Sequence, residues 1–328
     1  MEIKVQKIAA LILCICICVI SISAEAKTKK TTGKDGKCIT WNYDKETKTL
    51  TFSGKGPISD FEMDGHSAEP EWYVWSEKAE HIVVEEGITV IGEMACYHFL
   101  NVKNVKLPET LVKINHNAFM YDLELKTINF PDSLESIGSY AFSECEKMEL
   151  PVLPGKLKKI GKGAFEDCLR IKNFIFPEDI RIIDEDALIR NVNLRSVKLP
   201  QKVKKIMGGA FYNCKNLKVI DIPESVTTVA MAAFAGTGIR KLALPYNLKK
   251  IQNGDYGHKV FEKKHGLFPT KNLRVIEIHS KKVTKIEKNS FGGLANKVVI
   301  KVPKSRKKKY TKMLQESGLS KKVKIKCF

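Results

Sequence analysis

The chain has 328 residues and a formal net charge of +19 at neutral pH. Such an excess of Lys and Arg indicates polyanionic partners, such as nucleic acid, anionic lipid or acidic glycans, and does not indicate a fold. Beyond residue 26 no apolar stretch approaches the ~20 residues of a membrane-spanning helix, so the sequence predicts no transmembrane segment there.

Residues 1–26 have the pattern of a secretory signal peptide. Lys4 and Lys7 precede an apolar run from Ile8 to Ile22, and Ala24-Glu-Ala26 provides a small-residue cleavage site. A membrane anchor is the alternative, but the run of about 15 residues is shorter than a span of ~20. We therefore predict a secreted or extracellular protein, with cell-surface association left open. Export also argues against a nucleic-acid partner inside the cell.

Residues 27–80 are predicted to form an N-terminal β cap over the array of repeats that follows. Residues 27–37, rich in Lys, Thr and Gly, are expected to be a flexible lead-in. Cys38–Tyr43 and Thr49–Gly54 alternate between apolar and polar side chains around a charged turn, which predicts a β-hairpin. An array of repeats needs a cover over its open apolar end. We expect the tryptophans of this segment to form the core of that cover, with a glycan-stacking platform as the alternative: Trp41, Trp72 and Trp75.

Residues 81–302 repeat with a period of 23 residues. An Ala-Phe pair recurs at 118–119, 141–142, 164–165, 210–211 and 233–234, and prolines keep the same interval at 108, 131, 154, 177, 200 and 223. A fixed period of this length is typical of a solenoid in which each repeat forms one turn. We predict an α/β-type repeat fold, a leucine-rich repeat horseshoe with parallel strands on one face and irregular turns on the other. Each strand, such as Leu125–Phe130, is expected to end at the proline, which has no N–H for the ladder.

The period also sorts side chains into columns, because neighbouring strands lie about 4.8 Å apart. Phe119, Phe142, Phe165, Phe211 and Phe234 are predicted to stack in the core. Cysteines 145, 168 and 214 share another column and are expected to be buried free thiols, since a disulfide needs Cβ atoms about 3.8 Å apart. The redox state of the remaining cysteines after residue 26 is left open: Cys38, Cys96 and Cys327.

Residues 252–270 interrupt the period as an insertion. Insertions in solenoids map to loops on one face, and a surface loop without a function is the simplest interpretation. Asp255 and Glu262 are the acids of this segment, and they are the basis of a weaker hypothesis of a glycan-active enzyme.

Residues 303–328 are predicted to form a basic C-terminal cap. From Lys304 onward they contain ten Lys or Arg residues and one acid, Glu316. Ser305 is expected to cap a helix that Gly318 ends, and a closing strand follows. The most basic run is predicted to contact an anionic surface: Arg306, Lys307, Lys308 and Lys309.

One column of the repeat has a composition that packing does not explain. It is the first exposed position of each strand, and seven of its eight members are basic, the exception being Glu149. Like charges at strand spacing repel, so the column costs stability unless acids or a bound anion offset it. We predict that these residues bind an anionic ligand, with a solubilising surface as the alternative: Lys103, Lys126, Lys172, Arg195, Lys218, Arg240 and Arg274.

The repeat L-x-x-I-x-L-P-x-x-L-x-x-I-G-x-x-A-F-x-x-C, seen at 125–145 and 194–214, resembles the repeat of BspA-like leucine-rich repeat surface proteins of the Treponema pallidum type. The segment before the repeats is also similar to that family, at Thr40-Trp41, Leu50–Gly54 and Trp72-Tyr73. The resemblance covers residues 36–302 and implies an exported or cell-surface bacterial protein that binds host proteins or other cells. It supplies no catalytic residues.

We therefore expect a monomeric binding protein without catalysis, cofactor or metal, because no nucleotide loop, nucleophile elbow or metal-ligand spacing occurs. The expected partners are a protein or an anionic glycan or cell-wall polymer. The alternatives are a structural cell-envelope component held by the basic C-terminal segment and the glycan-active enzyme.

Overall fold

The 23-residue repeats stack as turns of a solenoid in the computed structural model, which describes residues 30–61, 69–253, 272–291 and 294–328. Thr32–Phe328 form one compact unit. Most turns add one short strand to each of two parallel sheets, here called sheet 1 and sheet 2. The predicted solenoid is confirmed, whereas the predicted signal peptide and most of the predicted insertion lie outside the described residues.

Sheet 1 forms one face of the solenoid in three hydrogen-bonded stretches. Its parallel pairs join residues one repeat apart, as Asn104 pairs with Thr127 and Asn173 with Ser196. Alternate side chains such as Val105 are buried in the core. The strands of this face are β3 (Thr49–Gly54), β5 (His81–Val84), β7 (Asn104–Lys106), β9 (Thr127–Ile128), β12 (Asn173–Ile175), β14 (Ser196–Lys198), β17 (Lys241–Leu244), β19 (Val275–Ile278), β21 (Val299–Val302) and β22 (Lys324–Cys327).

Sheet 2 is formed by the return segments, for which the sequence predicted irregular turns. Its strands are parallel and mostly two residues long, too short for the alternation of apolar and polar residues to be recognised. Ile137, for example, is buried and pairs with Ile114 of the turn before. The strands are β4 (Gly56–Pro57), β6 (Ile88–Ile91), β8 (Lys113–Ile114), β10 (Ser136–Ile137), β11 (Lys159–Ile160), β13 (Ile182–Ile183), β15 (Lys205–Ile206), β16 (Thr228–Ala230), β18 (Lys250–Gln252) and β20 (Lys285–Ile286).

The N-terminal cap contains the predicted hairpin, in which β2 (Ile39–Asp44) runs antiparallel to β3. The expected flexible lead-in is partly wrong, because β1 (Thr32–Asp35) pairs antiparallel with β2 and extends the sheet. A 3₁₀ turn at Glu71–Trp75 carries two of the tryptophans inward. Trp41, Trp72 and Trp75 are each at most 3 % exposed, which confirms a core role rather than a glycan platform.

The C-terminal cap consists of helix α1 (Lys307–Glu316) and strand β22, which pairs parallel with β21. Arg306 occupies the N-cap position without a side-chain hydrogen bond, so the prediction that Ser305 caps the helix was wrong. Gly318 has a positive φ of 89° just beyond the helix, as expected of a helix end. The helix buries Tyr310, whose hydroxyl donates to the Ser280 carbonyl at 3.0 Å.

The register of both sheets continues across the insertion. Lys241 of β17 pairs with Val275, 34 positions later, and Lys250 of β18 pairs with Lys285, 35 positions later. The stacking of the described turns therefore continues from β17 to β19 and from β18 to β20 despite the longer sequence separation.

The core contains the predicted aromatic column. Ring centroids of Phe119 and Phe142 lie 5.3 Å apart, those of Phe142 and Phe165 lie 5.6 Å apart, and both pairs are nearly parallel. The six cysteines of the described residues are free thiols, and Cys145, Cys168 and Cys214 are buried as predicted. Burial raises the pKa of the Cys145 and Cys168 thiols well above the usual value, so they lack the thiolate character of a reactive cysteine.

Two positions in most of the described turns adopt a left-handed backbone, which the sequence did not reveal. Most of these residues are not glycine, their non-glycine members have φ angles between 53° and 66°, and a bulky side chain there is strained. Their amides compensate by donating to the carbonyl 22 residues later, as Tyr121 does to Ser143 and Glu144 to Glu166. The non-glycine members described are Met94, His98, Asn117, Tyr121, Tyr140, Glu144, Asp167, Asp186, Arg190, Asn213 and Asn289.

Glu144, Asp167 and Arg190 follow one another in one of these left-handed columns. The Arg190 guanidinium forms ion pairs with Glu166 and Asp167. Burial, together with the negative charge of Asp167, raises the pKa of Glu144 to about 7. Burial also raises the pKa of Asp186 to about 7. Both carboxyl groups lie beside a network of ion pairs, that of Arg190 with Glu166 and Asp167, and such structural arrangements commonly perturb pKa values.

Asp122 occupies the column of the buried cysteines. There the thiols of Cys145 and Cys168 each donate to a carbonyl 26 residues earlier at 3.1 Å, and the Asn191 amide donates in the same way at 2.7 Å. Asp122 Oδ1 accepts from the Phe99 amide at 2.8 Å, but its Oδ2 is buried without a partner. Burial raises the pKa of this carboxyl well above its usual value. The equivalent residues of later turns donate a hydrogen bond here, and an ionised carboxylate cannot do so.

We predict that Asp122→Asn stabilises the protein at neutral pH, because an amide keeps the acceptor and adds the missing donor. A buried unsatisfied group costs about 1–3 kcal/mol, and thermal unfolding should show a gain of that order. Because burial raises the pKa of Asp122 in the folded state, the neutral carboxyl group stabilises the fold below the unfolded-state pKa. This stabilisation is lost as the pH rises and the group ionises. The advantage of the variant should therefore shrink toward pH 4, and a variant no more stable than the wild type at pH 7 would contradict this account.

We also predict that Glu144→Gln removes a pH-dependent loss of stability. The raised pKa of Glu144 means that its neutral form stabilises the fold below about pH 4.5 and that this stability is lost up to about pH 7. At pH 8 the variant should be more stable than the wild type by about 1–3 kcal/mol, since one pKa unit corresponds to about 1.4 kcal/mol. Glu149→Gln, at an exposed carboxylate, is the control, and equal pH profiles of Glu144→Gln and wild type would refute the prediction.

Candidate ligand-binding surfaces

The basic column predicted from the sequence lies immediately before the strands of sheet 1. The amide of Lys126 donates to the carbonyl of Lys103 at 2.8 Å, Arg195 donates to Lys172 at 2.7 Å, and Arg274 donates to Arg240 at 2.8 Å. The stacking of turns therefore places these residues next to one another along the edge of the sheet. All seven side chains are exposed except that of Lys103, which is half-buried.

The column is neutralised at its N-terminal end. Glu80 occupies the equivalent position one turn before Lys103 and forms ion pairs with both Lys103 and Lys48. Hydrogen bonds from these two ammonium groups lower the pKa of Glu80 to about 2. Glu149 adds a second acid at the middle of the column. Within the described ranges, five members form no ion pair: Lys126, Lys172, Arg195, Lys218 and Arg240.

A polar ladder lies beside the basic column in the first turns of sheet 1. Asn104 Nδ2 lies 3.1 Å from His81 Nδ1, and the Thr127 hydroxyl donates to Asn104 Oδ1. These residues line a shallow depression of about 690 Å³ together with Lys106 and Asn129. This ladder was not predicted from the sequence, although its polar residues are spaced one repeat apart.

The next column of sheet 1 has apolar side chains in the middle of the solenoid and an acidic side chain toward its C-terminal end. Val152 is 91 % exposed and Ile175 is 63 % exposed, which leaves an apolar spot on the face. Glu277, by contrast, is buried and binds Lys241 at 3.1 Å and Lys301 at 3.2 Å. Burial acts to raise the pKa of Glu277, but the hydrogen bonds from these two lysines hold it below its usual value.

Sheet 2 carries a second basic surface that the sequence analysis missed, because its strands were not predicted. Lys205 pairs with Thr228, Thr228 pairs with Lys250, and Lys250 pairs with Lys285, so their side chains share one column. Part of this charge is balanced, since Lys158 contacts Glu135 at 2.9 Å. The exposed basic residues of this surface are Lys158, Lys159, Arg181, Lys204, Lys205, Lys249, Lys250 and Lys285.

The predicted basic run of the C-terminal segment lies at the start of α1. Arg306, Lys307, Lys308 and Lys309 are all exposed. The first turn of the helix contains no acid, so these cations oppose the positive end of the helix dipole. Because Tyr310 and Leu314 are buried beneath them, the segment is a folded cap that presents charge from a fixed position.

The described part of the chain contains no group of three or more His, Cys, Asp or Glu residues that could hold a metal ion. The same ranges contain no helix that is long and apolar enough to cross a membrane. Asp255 and Glu262, on which the hypothesis of a glycan-active enzyme rests, lie outside the described residues.

Solved structures provide a comparison for the whole fold. A leucine-rich repeat protein from Bacteroides ovatus is 21 % identical with a TM-score of 0.51, over 89 % of this chain and 76 % of that chain, and it shows the same fold. The T. pallidum leucine-rich repeat protein is 26 % identical over 56 % of this chain and 90 % of its own, with a TM-score of 0.44. A leucine-rich cell-surface protein from Faecalibacterium prausnitzii is 18 % identical over 91 % and 95 % of the two chains, with a TM-score of 0.35.

No curated protein matches the chain by sequence. The family model described as the BspA type leucine rich repeat region matches in six copies, over residues 69–191, 183–262 and 263–327. These matches extend from the N-terminal cap through the repeats to the closing strand and cover well over half of the sequence. The chain therefore belongs to the BspA-type leucine-rich repeat family.

Proposed function

We propose that this protein is an exported, surface-associated binding protein without catalytic activity, and that its basic column on sheet 1 binds anionic glycans or cell-wall polymers. The observation that carries the proposal is a set of five cations in one column of sheet 1 that form no ion pair among the described residues, four of them on successive turns: Lys126, beyond Glu149, and then Lys172, Arg195, Lys218 and Arg240. The predicted signal peptide at 1–26 supports export. The proposal includes a protein ligand with an acidic surface, because its carboxylates would pair with the same basic column.

The energetics of the column favour a polymer over a small anion. Each exposed ion pair contributes only ~0–1 kcal/mol, so one or two contacts give no useful affinity. A linear polyanion that follows the solenoid axis can contact Lys172, Arg195 and Lys218 on successive turns, and the contacts then act together. Binding also relieves the repulsion that the stacked cations exert on one another.

The three predicted domains of the mature chain have different roles in this proposal. Residues 27–80 and 303–328 cover the two ends of the array, and residues 81–302 provide the binding faces. The second candidate function is a structural cell-envelope component held by the C-terminal segment. It is favoured by Lys307, Lys308 and Lys309, which lie at a helix start where cations are unfavourable.

We predict that the wild-type chain is retained on immobilised heparin and on teichoic-type polymer at about 0.1 M salt and released at about 1 M. The Debye length falls from about 10 Å to about 3 Å over this range, which screens exposed charges. The triple variant Lys172→Glu, Arg195→Glu, Lys218→Glu should bind about 10–100-fold more weakly, since each lost contact is worth up to ~1 kcal/mol.

Two matched variants locate the binding face. Each reverses three exposed charges, as the sheet 1 variant does. The first is on sheet 2 and carries Lys204→Glu, Lys205→Glu and Lys250→Glu. The second is on α1 and carries Lys307→Glu, Lys308→Glu and Lys309→Glu. If all three variants lose affinity equally, net charge rather than the column governs binding and the proposal fails. A loss confined to the α1 variant, with release from intact cells, would support the envelope component instead.

A further inference from the structure

The last four strands of sheet 1 end at a common edge. β17, β19, β21 and β22 are adjacent and parallel, so the residues that follow them come together. His279, directly after β19, donates its amide to the Leu244 carbonyl at 3.3 Å, and Phe328, directly after β22, donates to the Val302 carbonyl at 3.2 Å. The groove at this edge has a volume of about 720 Å³ and is lined by Tyr246, His279, Lys281, Pro303, Lys304, Ser305 and Phe328.

The groove contains an aromatic cluster that is open to solvent. The His279 ring lies between two others, 5.0 Å from the Tyr246 centroid and 4.7 Å from the Phe328 centroid. Tyr246 is 62 % exposed and Phe328 is 52 % exposed, and they are the two aromatic members of the exposed large hydrophobic residues described. The phenylalanines of the core column are fully buried, so the exposure here does not follow from the packing of the turns.

These residues depart from the repeat at two positions. The position after the strand is proline in earlier turns, as at Pro177 and Pro200, but the equivalent residues here are His279 and Phe328. The position after that proline is Glu178 in one turn and Glu224 in another, whereas Tyr246 and Lys304 occupy it at this edge. Departures from a regular pattern are expected where function imposes a requirement of its own.

The charged side chains that line the groove are basic, and the acidic side chains beside it already have partners. Glu277 contacts His279 Nε2 at 3.3 Å as well as two lysines. Glu224 accepts the Tyr246 amide at 2.8 Å. Lys281 and Lys304, both exposed, have no ion pair within the described part of the chain and line the groove beside the rings.

We propose that this groove binds an acidic sugar, a pyranose ring that carries a carboxylate. The C–H face of a pyranose can lie against the open rings of Tyr246 and Phe328, as apolar faces do on aromatic surfaces. The carboxylate then pairs with the ammonium groups of Lys281 and Lys304. A neutral sugar would use the rings alone, and an inorganic anion would use the lysines alone. The volume lies within the ~300–1,000 Å³ range of small-ligand sites. This site goes beyond the polymer binding proposed above and uses different residues.

Titration with methyl glucuronide and methyl glucoside, followed by ligand-observed NMR, tests the proposal with two probes that differ in the carboxylate. The wild-type chain should bind the glucuronide saturably and the glucoside about tenfold or more weakly, the ratio expected for one favourable charge contact. Tyr246→Ala should weaken glucuronide binding about fivefold or more, whereas Tyr246→Phe, which keeps the ring, should bind as the wild type does. Lys281→Ala with Lys304→Ala should remove the preference for the glucuronide, and Lys322→Ala, outside the groove, should not.

Equal binding of the two probes, or no change in Tyr246→Ala, would overturn the proposal. So would loss of glucuronide binding in the sheet 1 variant Lys172→Glu, Arg195→Glu, Lys218→Glu, because the site would then be the basic column. Retention on heparin is measured separately and should be unchanged in Tyr246→Ala, so failure of the sugar site and failure of polymer binding are distinguishable.

Discussion

The hydrogen bonds between the backbones of successive turns are the interaction on which the rest of the structure depends. They join residues one repeat apart in both sheets, and the left-handed positions add bonds to carbonyls 22 residues ahead. Once this register is set, every repeated residue forms a column at a spacing of about 4.8 Å. Columns of Phe and Cys fill the core, and columns of Lys and Arg remain at the surface. One constraint therefore determines both stability and the pattern of exposed charge.

The sequence predicted those features that recur in register and depend on side-chain type. The phenylalanine column, the buried thiols, the hairpin and the closing helix and strand are of this kind. It did not predict sheet 2, whose two-residue strands have no alternation to recognise, or the left-handed positions, which Glu144 and Arg190 occupy without a glycine signal. It also did not predict that Lys103, a member of the basic column, pairs with Glu80, since that pairing depends on contact between neighbouring turns.

The candidate surfaces are of two kinds, those that the repeat produces and one that lies where the repeat is broken. The basic columns are produced by the repeat itself, so they are long, shallow and suited to a polymer that follows the solenoid. The groove beside Tyr246, His279 and Phe328 arises where the repeat is broken, at the edge where four strands end. Asp122 also breaks the repeat, because it is an acid in a column of hydrogen-bond donors. There the departure from the repeat affects the stability of the fold and not a binding surface. The repeat therefore provides a reference against which each departure can be recognised.

The central claim is that the stacking of turns places repeated basic residues side by side, so that they bind one ligand together. Acylation of lysines, quantified by mass spectrometry with and without heparin at about 0.1 M salt, tests it most directly. The account predicts that Lys126, Lys172 and Lys218 are protected together, while the exposed Lys55, outside the column, reacts at the same rate in both samples. Unchanged reactivity of the column lysines, or equal protection of Lys55, would contradict it.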